Sequence, residues 1–180
     1  MANLGFGMVP LMSISMCLMA LAGTVQASEP LATVPSVDLK RYVGSWYEIA
    51  RYPNRFQKDC ASDTTAVYTL RPDGTIQVVN SCRRADGSTN TARGKAKIVD
   101  RRSNARLKVT FFWPFYGNYW IIGLAQDYRY AIVGEPERKY LWILSRTPKL
   151  SDQDYAEALE RIRSAGYDTN RLMRTAQSGR

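Results

Sequence analysis

Glu48 and Arg51 stand three residues apart in the stretch GSWYEIARYP, residues 44–53. Most other carboxylates fall in turns or on a helical segment, whereas Glu48 shares a strand with Trp46. An acid withdrawn from water there has two uses: a general base, or one half of an ion pair with a nearby arginine. The ion pair is the favoured reading. The chain has no histidine, which removes Ser-His-Asp and Cys-His arrangements, histidine metal sites and the usual proton shuttle at neutral pH. A phosphate-binding loop, a dinucleotide glycine signature and a CxxC pair are also absent. No catalytic set, metal or cofactor is expected, and a binding protein is the leading class.

Three cysteines remain as candidate chemistry: Cys17, Cys60 and Cys82. Cys17 lies in a segment, residues 1–27, that carries no Lys, Arg, Asp or Glu and runs LMSISMCLMALAGTVQA into Val25-Gln26-Ala27. An apolar run followed by a small-x-small site is the pattern of a cleaved secretory signal. Pro10, Ser13 and Ser15 break the run, which is short of the ~20 residues of a membrane span. Cys17 follows Met16 where a lipid-attachment cysteine would follow small residues. Residues 28–180 are therefore expected to form a single exported domain in the periplasm, with outer-membrane association left open. Cys60 and Cys82, an even pair in an exported chain, read as a disulfide. They flank the turn RPDG (71–74), and their even numbers on pairing strands direct both side chains to one face. Two free thiols are the alternative, and an inward thiol would favour an enzyme.

The net charge of +9 belongs wholly to the part beyond the leader. It favours anionic partners such as phosphate head groups, fatty carboxylates or an anionic membrane touched peripherally; solubility alone would also explain it. Nucleic acid is disfavoured, because the chain is exported and its basic residues are scattered rather than striped along a helix.

The elements that must position these residues follow from periodicity. From residue 45 the pattern is two, not 3.6, for about a hundred residues. Eight strands are expected near 45–52, 62–70, 75–82, 90–99, 105–113, 118–125, 128–134 and 139–146, rich in Val, Ile, Thr, Tyr, Phe and Trp. RPDG, RADG (84–87), DRRSN (100–104), YGN (116–118) and EPERK (135–139) are the turns. The longer connection NRFQKDCAS (54–62) reads as a rim loop. After them, Ser151 with Asp154 three residues on opens a helix of about 14 residues. Tyr155, Ala158, Leu159 and Ile162 lie on one of its faces, and Gly166 closes it. Such a helix must bury that face on the outside of the sheet. The fold expected is all-β: an eight-stranded antiparallel up-and-down barrel with one C-terminal helix packed outside.

Three separated pieces carry a further signal: Gly44-Ser45-Trp46, Asp127-Tyr128 leading into the seventh strand, and Arg146 closing the eighth in WILSRTP. Together with YVGSWYEIARYP, RADG, FFWPFYGNYW and YLWILSRTPKLS, they resemble the lipocalin pattern over about residues 38–175. The likeness is nearest to bacterial lipocalins and apolipoprotein D. The resemblance implies that Trp46 plugs one end of the barrel, that Arg146 stacks on it, and that Gly44 lets the chain turn beneath. It also implies that Cys60, tied to a distant C-terminal cysteine in apolipoprotein D, has only Cys82 to pair with here.

Carrying the family's inward phase along each strand gives a candidate ligand lining. It comprises Ala66 and Tyr68; Ile76, Val78 and Asn80; Leu107, Val109 and Phe111; Tyr119 and Ile121; Val133; Trp142 and Leu144; and Phe56 overhanging from the rim. An apolar and aromatic lining with a few polar tips suits one long-chain amphiphile, a fatty acid or lysophospholipid. A carrier, monomeric or weakly dimeric, is the function implied. The rivals are an isomerase-like enzyme using a pocket cysteine and a membrane-surface interaction protein.

Overall fold

The computed structural model describes residues 1–2 and 29–178. The leader expected over residues 1–27 lies outside them apart from its first two residues, and so does its cleavage site. The eight strands are β1 (Gly44–Arg51), β2 (Ser62–Leu70), β3 (Ile76–Arg83), β4 (Thr89–Ile98), β5 (Arg106–Phe112), β6 (Phe115–Leu124), β7 (Tyr130–Gly134) and β8 (Leu141–Ser145). Each pairs antiparallel with the next, and β1 pairs with both β2 and β8. At one seam Trp46 faces Ala66; at the other Glu48 faces Leu144. The sheet therefore closes on itself into the barrel expected from the sequence.

Alternation explains the closure. Leu107 and Val109 of β5 turn toward the interior cluster with Trp46, Ile76, Val78 and Val133, while the intervening Lys108 is exposed. A strand with one apolar and one charged face settles only when the apolar face has a core to enter. Residues 31–37 add to that core: Val34 and Val37 are buried, and their amides bond to the carbonyls of Ile121 and Ser103. This lead-in crosses the closed end.

The structure differs from the sequence reading between β5 and β6. YGN is not a turn, because Tyr116, Gly117 and Asn118 lie inside β6 and Gly117 faces Val109. The chain reverses at Trp113-Pro114, whose peptide bond is cis, with Phe112 facing Phe115. Proline has no amide hydrogen for the ladder, so the reversal falls there and β6 begins at Phe115 rather than near 118. A ninth strand, β9 (Met173–Arg174), was also not foreseen. It pairs with Ala50 and Arg51 at the end of β1, beyond the irregularity between Glu48 and Ala50. Gln177 extends this patch: its amide nitrogen donates to the carbonyls of Glu48 and Thr64, bridging β1 and β2.

Two helices complete the domain. The short α1 (Leu39–Tyr42) starts at Asp38, whose carboxylate accepts from the Lys40 amide at 2.9 Å. The longer α2 (Asp152–Ser164) starts at Ser151, whose Oγ accepts from the Asp154 amide at 3.1 Å. It ends with Gly166 at φ +79°, where the amides of Gly166 and Tyr167 bond to the carbonyls of Arg163 and Ile162; glycine takes that left-handed angle without strain. Ala158 and Ile162 are buried in an outer cluster with Tyr130, Ile132 and Ile143. Asp154 also accepts from Arg129 at 2.6 and 2.9 Å.

Two outcomes follow for α2. Ser151→Ala is expected to cost about 1 kcal/mol in urea unfolding. The Arg129 guanidinium holds the Asp154 carboxyl below its ordinary value. Its contribution is therefore present above the unfolded carboxyl value and lost as pH falls through the folded one. Asp154→Asn should be less stable than wild type at neutral pH, and the two melting curves should converge in acid. A constant gap across that range would show that the charge plays no part.

Candidate ligand-binding site

The closed end is built around Trp46, which is fully buried. Its indole nitrogen donates to the Tyr42 carbonyl at 2.8 Å. Arg146 lies over the ring with Cζ 3.7 Å from the centroid. The same guanidinium donates to the carbonyls of Ser45, Arg41, Tyr42 and Val43 at 2.8, 2.5, 3.1 and 3.2 Å. These carbonyls terminate α1 and open β1, so one side chain satisfies acceptors that neither element can. Gly44 sits between them at φ +99°, a backbone angle that a side chain would strain.

The Asp127-Tyr128 turn braces this floor from the side. Tyr128, at φ +69°, accepts from the Asp38 amide at 2.9 Å, and Arg41 stacks 4.0 Å over its ring. Asp127 accepts from the amide and guanidinium of Arg129, and the Arg129 guanidinium also holds Asp154. The turn thus links α1 beneath the barrel to α2 on its flank.

Three phenols stand above Trp46. Tyr42 and Tyr119 share a 2.7 Å hydrogen bond, and Tyr119 donates to Tyr68 at 3.1 Å. A hydroxyl has one proton to give, so Tyr42 must donate to Tyr119, and the Tyr68 proton remains for whatever occupies the cavity. Burial pushes Tyr68 up to about 12 and holds Tyr42 and Tyr119 well above their ordinary value. All three are neutral donors at physiological pH.

Above the phenols a cavity of ≈ 770 Å³ opens to the end opposite Trp46. Ala66 and Tyr68 line it from β2; Ile76, Val78 and Asn80 from β3; and Leu107, Val109 and Phe111 from β5. Tyr119, Val133, Trp142 and Leu144 continue the wall, and Phe56, 62% exposed, stands at the mouth. Ile121 is placed elsewhere. It is fully buried in the interior cluster with Val34 and does not line the space. The lead-in fills the barrel at its level, and nothing local to β6 signals this.

The wall also has a polar sector that the strand-by-strand lining omitted. Glu48, Gln57, Thr64 and Tyr140 line the cavity. Glu48 accepts from Arg51 at 2.8 Å, from Thr175 at 2.5 Å and from Gln57 at 2.5 Å. Its role is the ion pair, and the charge is neutralised within the wall. Gln57 in turn accepts from the Trp142 indole at 2.9 Å, and Tyr140 stacks on that ring with centroids 6.0 Å apart. The Thr64 hydroxyl and the Asn80 carbonyl oxygen are buried without a protein partner. Period-two counting from Trp46 reaches Glu48, and from Ala66 reaches Thr64. Gln57 carries no such signal, because it arrives on a single 3-10 turn (Arg55–Gln57) in the rim loop.

Cys60 and Cys82 are joined, with Cα atoms 5.5 Å apart, and both face the mouth. The bond ties the rim loop to β3. It also consumes both thiols, so the enzyme alternative lacks its nucleophile.

Arg146→Lys keeps a charge but loses the planar fork. It is expected to lower unfolding stability by about 2 kcal/mol in urea; an unchanged midpoint would mean the stack contributes nothing. The phenols set an alkaline limit. Their raised folded values leave stability intact below pH ~10 and withdraw it above, as the unfolded chain ionises first. Tyrosinate absorbance should show these three ionising only together with loss of structure.

A family model for a lipocalin-like domain matches residues 37–177. The chain is 43% identical over 150 residues to the outer membrane lipoprotein Blc of Escherichia coli (strain K12), covering 83% of this chain and 84% of that one. It is 40% identical over 156 residues to temperature-induced lipocalin-1 of Arabidopsis thaliana, with 82% and 83% covered. With apolipoprotein D of Bos taurus it shares 31% over 189 residues, with 94% and 96% covered. Among solved structures, insecticyanin from the tobacco hornworm Manduca sexta aligns with a TM-score of 0.65 at 20% identity, covering 79% of this chain and 82% of that one. Lobster apocrustacyanin A1 aligns at 0.63 and 20%, with 77% and 79% covered; both likenesses speak to the fold alone. Taken with the closed barrel and its Trp46–Arg146 floor, the match across most of the domain shows that this chain belongs to the lipocalin family.

Proposed function

We propose that this lipocalin binds and carries one long-chain amphiphile, a free fatty acid or a lysophospholipid, in the periplasm after export and cleavage behind Ala27. The cavity carries the proposal: ≈ 770 Å³, walled by Ile76, Val78, Val109, Phe111, Val133, Trp142 and Leu144, within the range that encloses one small ligand. Relatives named as outer membrane lipoproteins support a place in the cell envelope. No enzymatic step is assigned.

Desolvation favours one orientation, because a charged head group loses less in the water at the mouth than among apolar side chains. Glu48 is the acid of the wall and already has Arg51, so an anionic head group gains nothing beside it. Arg55, Glu135 and Glu137 stand at the rim. The ligand enters tail first, its head stays with Arg55 and water, and the donor left on Tyr68 meets any polar atom that reaches the floor. Burying about 14 methylenes at about 0.8 kcal/mol each contributes roughly 11 kcal/mol. Chain ordering and lost freedom of the ligand offset part of this, which leaves a dissociation constant near micromolar.

Trp142, in the wall and bonded to Gln57, is the natural reporter. Titration with C12–C18 fatty acids or lysophospholipids is expected to quench or shift tryptophan emission. Trp142→Ala should weaken binding roughly tenfold, the equivalent of about 1.4 kcal/mol. A protein that responds to no amphiphile of that length, and carries none on extraction, would defeat the proposal.

A further inference from the structure

The hairpin between β5 and β6 carries aromatic side chains into solvent. Phe112, Trp113 and Phe115 are 80%, 83% and 78% exposed, and Tyr116 is also exposed. Soluble proteins seldom leave so contiguous an apolar tip uncovered. The cavity reaches this tip, since Phe112, Phe115 and Tyr116 line its mouth.

A second, independent feature adjoins it. β4 and β5 contain no Asp or Glu. Arg93, Lys95 and Lys97 of β4 and Lys108 of β5 are exposed on their outer face. Lys97 faces Lys108, and Lys95 faces Thr110, two residues before Phe112. The stripe meets the tip where the Lys97 ammonium stands 4.5 Å over the Tyr116 ring. Among the described residues one carboxylate answers it, Asp73 at 3.3 Å from Lys95. Like charges crowded on neighbouring strands are unfavourable without an anionic partner.

From these two features we infer that the Phe112–Tyr116 hairpin enters the interfacial layer of an anionic phospholipid surface while the β4–β5 cations engage its head groups. Aromatic rings are favoured at the boundary between acyl chains and water, and each basic side chain near such a surface adds to its hold. Docked in this way, the mouth opens onto the acyl phase, and an amphiphile can pass between bilayer and cavity without crossing water. The inference is separable from the ligand proposed above, because docking is measured with vesicles and cavity binding with a soluble amphiphile.

The test is sedimentation with phosphatidylcholine vesicles, with and without phosphatidylglycerol, at low ionic strength. The protein is expected to pellet with the mixed vesicles and to be released by high salt. Lys97→Gln/Lys108→Gln should weaken that binding roughly 25-fold, and Trp113→Ser roughly tenfold. The Trp113 emission, taken as wild type minus Trp113→Ser, should move to shorter wavelength on docking. Both variants alter side chains outside the cavity lining and should retain fatty-acid binding, which also reports that they are folded. The inference fails if wild type ignores the mixed vesicles. It also fails if the variants pellet like wild type. It fails equally if the protein sediments as a dimer that Trp113→Ser dissociates, for then a second copy covers the tip.

Discussion

A sheet rolled into a cup has two ends, and one of them must be sealed by groups that the strands cannot supply. In this protein the seal is the Arg146 guanidinium lying on the Trp46 indole. The indole excludes water from the interior. The guanidinium answers four carbonyls gathered there because α1 ends where β1 begins. An aliphatic side chain in place of Arg146 would take a donor from each of those carbonyls, while the Tyr42 carbonyl would keep the Trp46 indole. The cavity above exists because the floor below is dry and fixed.

Two sets of the remaining polar groups are organised in the same manner. The Tyr42–Tyr119–Tyr68 chain runs in one direction and ends with a single free donor. Glu48 and Arg51 cancel inside the wall, held by Thr175 from the C-terminal segment and Gln57 from the rim. Excess positive charge lies outside, on β4 and β5, where Asp73 answers Lys95. A buried charge costs several kcal/mol unless paired, whereas an exposed one is hydrated and can meet a surface. That division leaves an apolar interior and a basic outer face.

Much of this was legible because the relevant signals are local or repeat with a short period. Alternation of two located the eight strands to within a few residues, and Ser151 and Gly166 bounded α2. The same alternation, with the inward phase that the lipocalin resemblance implied, put Ala66, Val78, Val109 and Trp142 on one face of their strands. The misses share a cause. Gln57 enters through a one-turn loop, Thr175 and Gln177 come from more than a hundred residues away, and Ile121 is covered by a lead-in from a distant part of the chain. None of these depends on the residue's own neighbours. The β5–β6 turn was misplaced because Tyr116-Gly117-Asn118 has turn composition, yet Pro114 had already reversed the chain.

What the sequence determined by itself is the set of alternating strands, the capped helix, the absence of histidine chemistry and the family to which the chain belongs. All of these follow from residue type and short spacing along the chain. Tertiary structure decided which side chains share a space: that Glu48 meets Thr175, that Ile121 lies beneath the cavity, and that Phe112, Phe115 and Tyr116 reach its mouth. The physical reason is the closure of the barrel. It fixes each strand's height and rotation against its neighbours only when the last strand pairs with the first, and no segment of the chain contains that condition on its own.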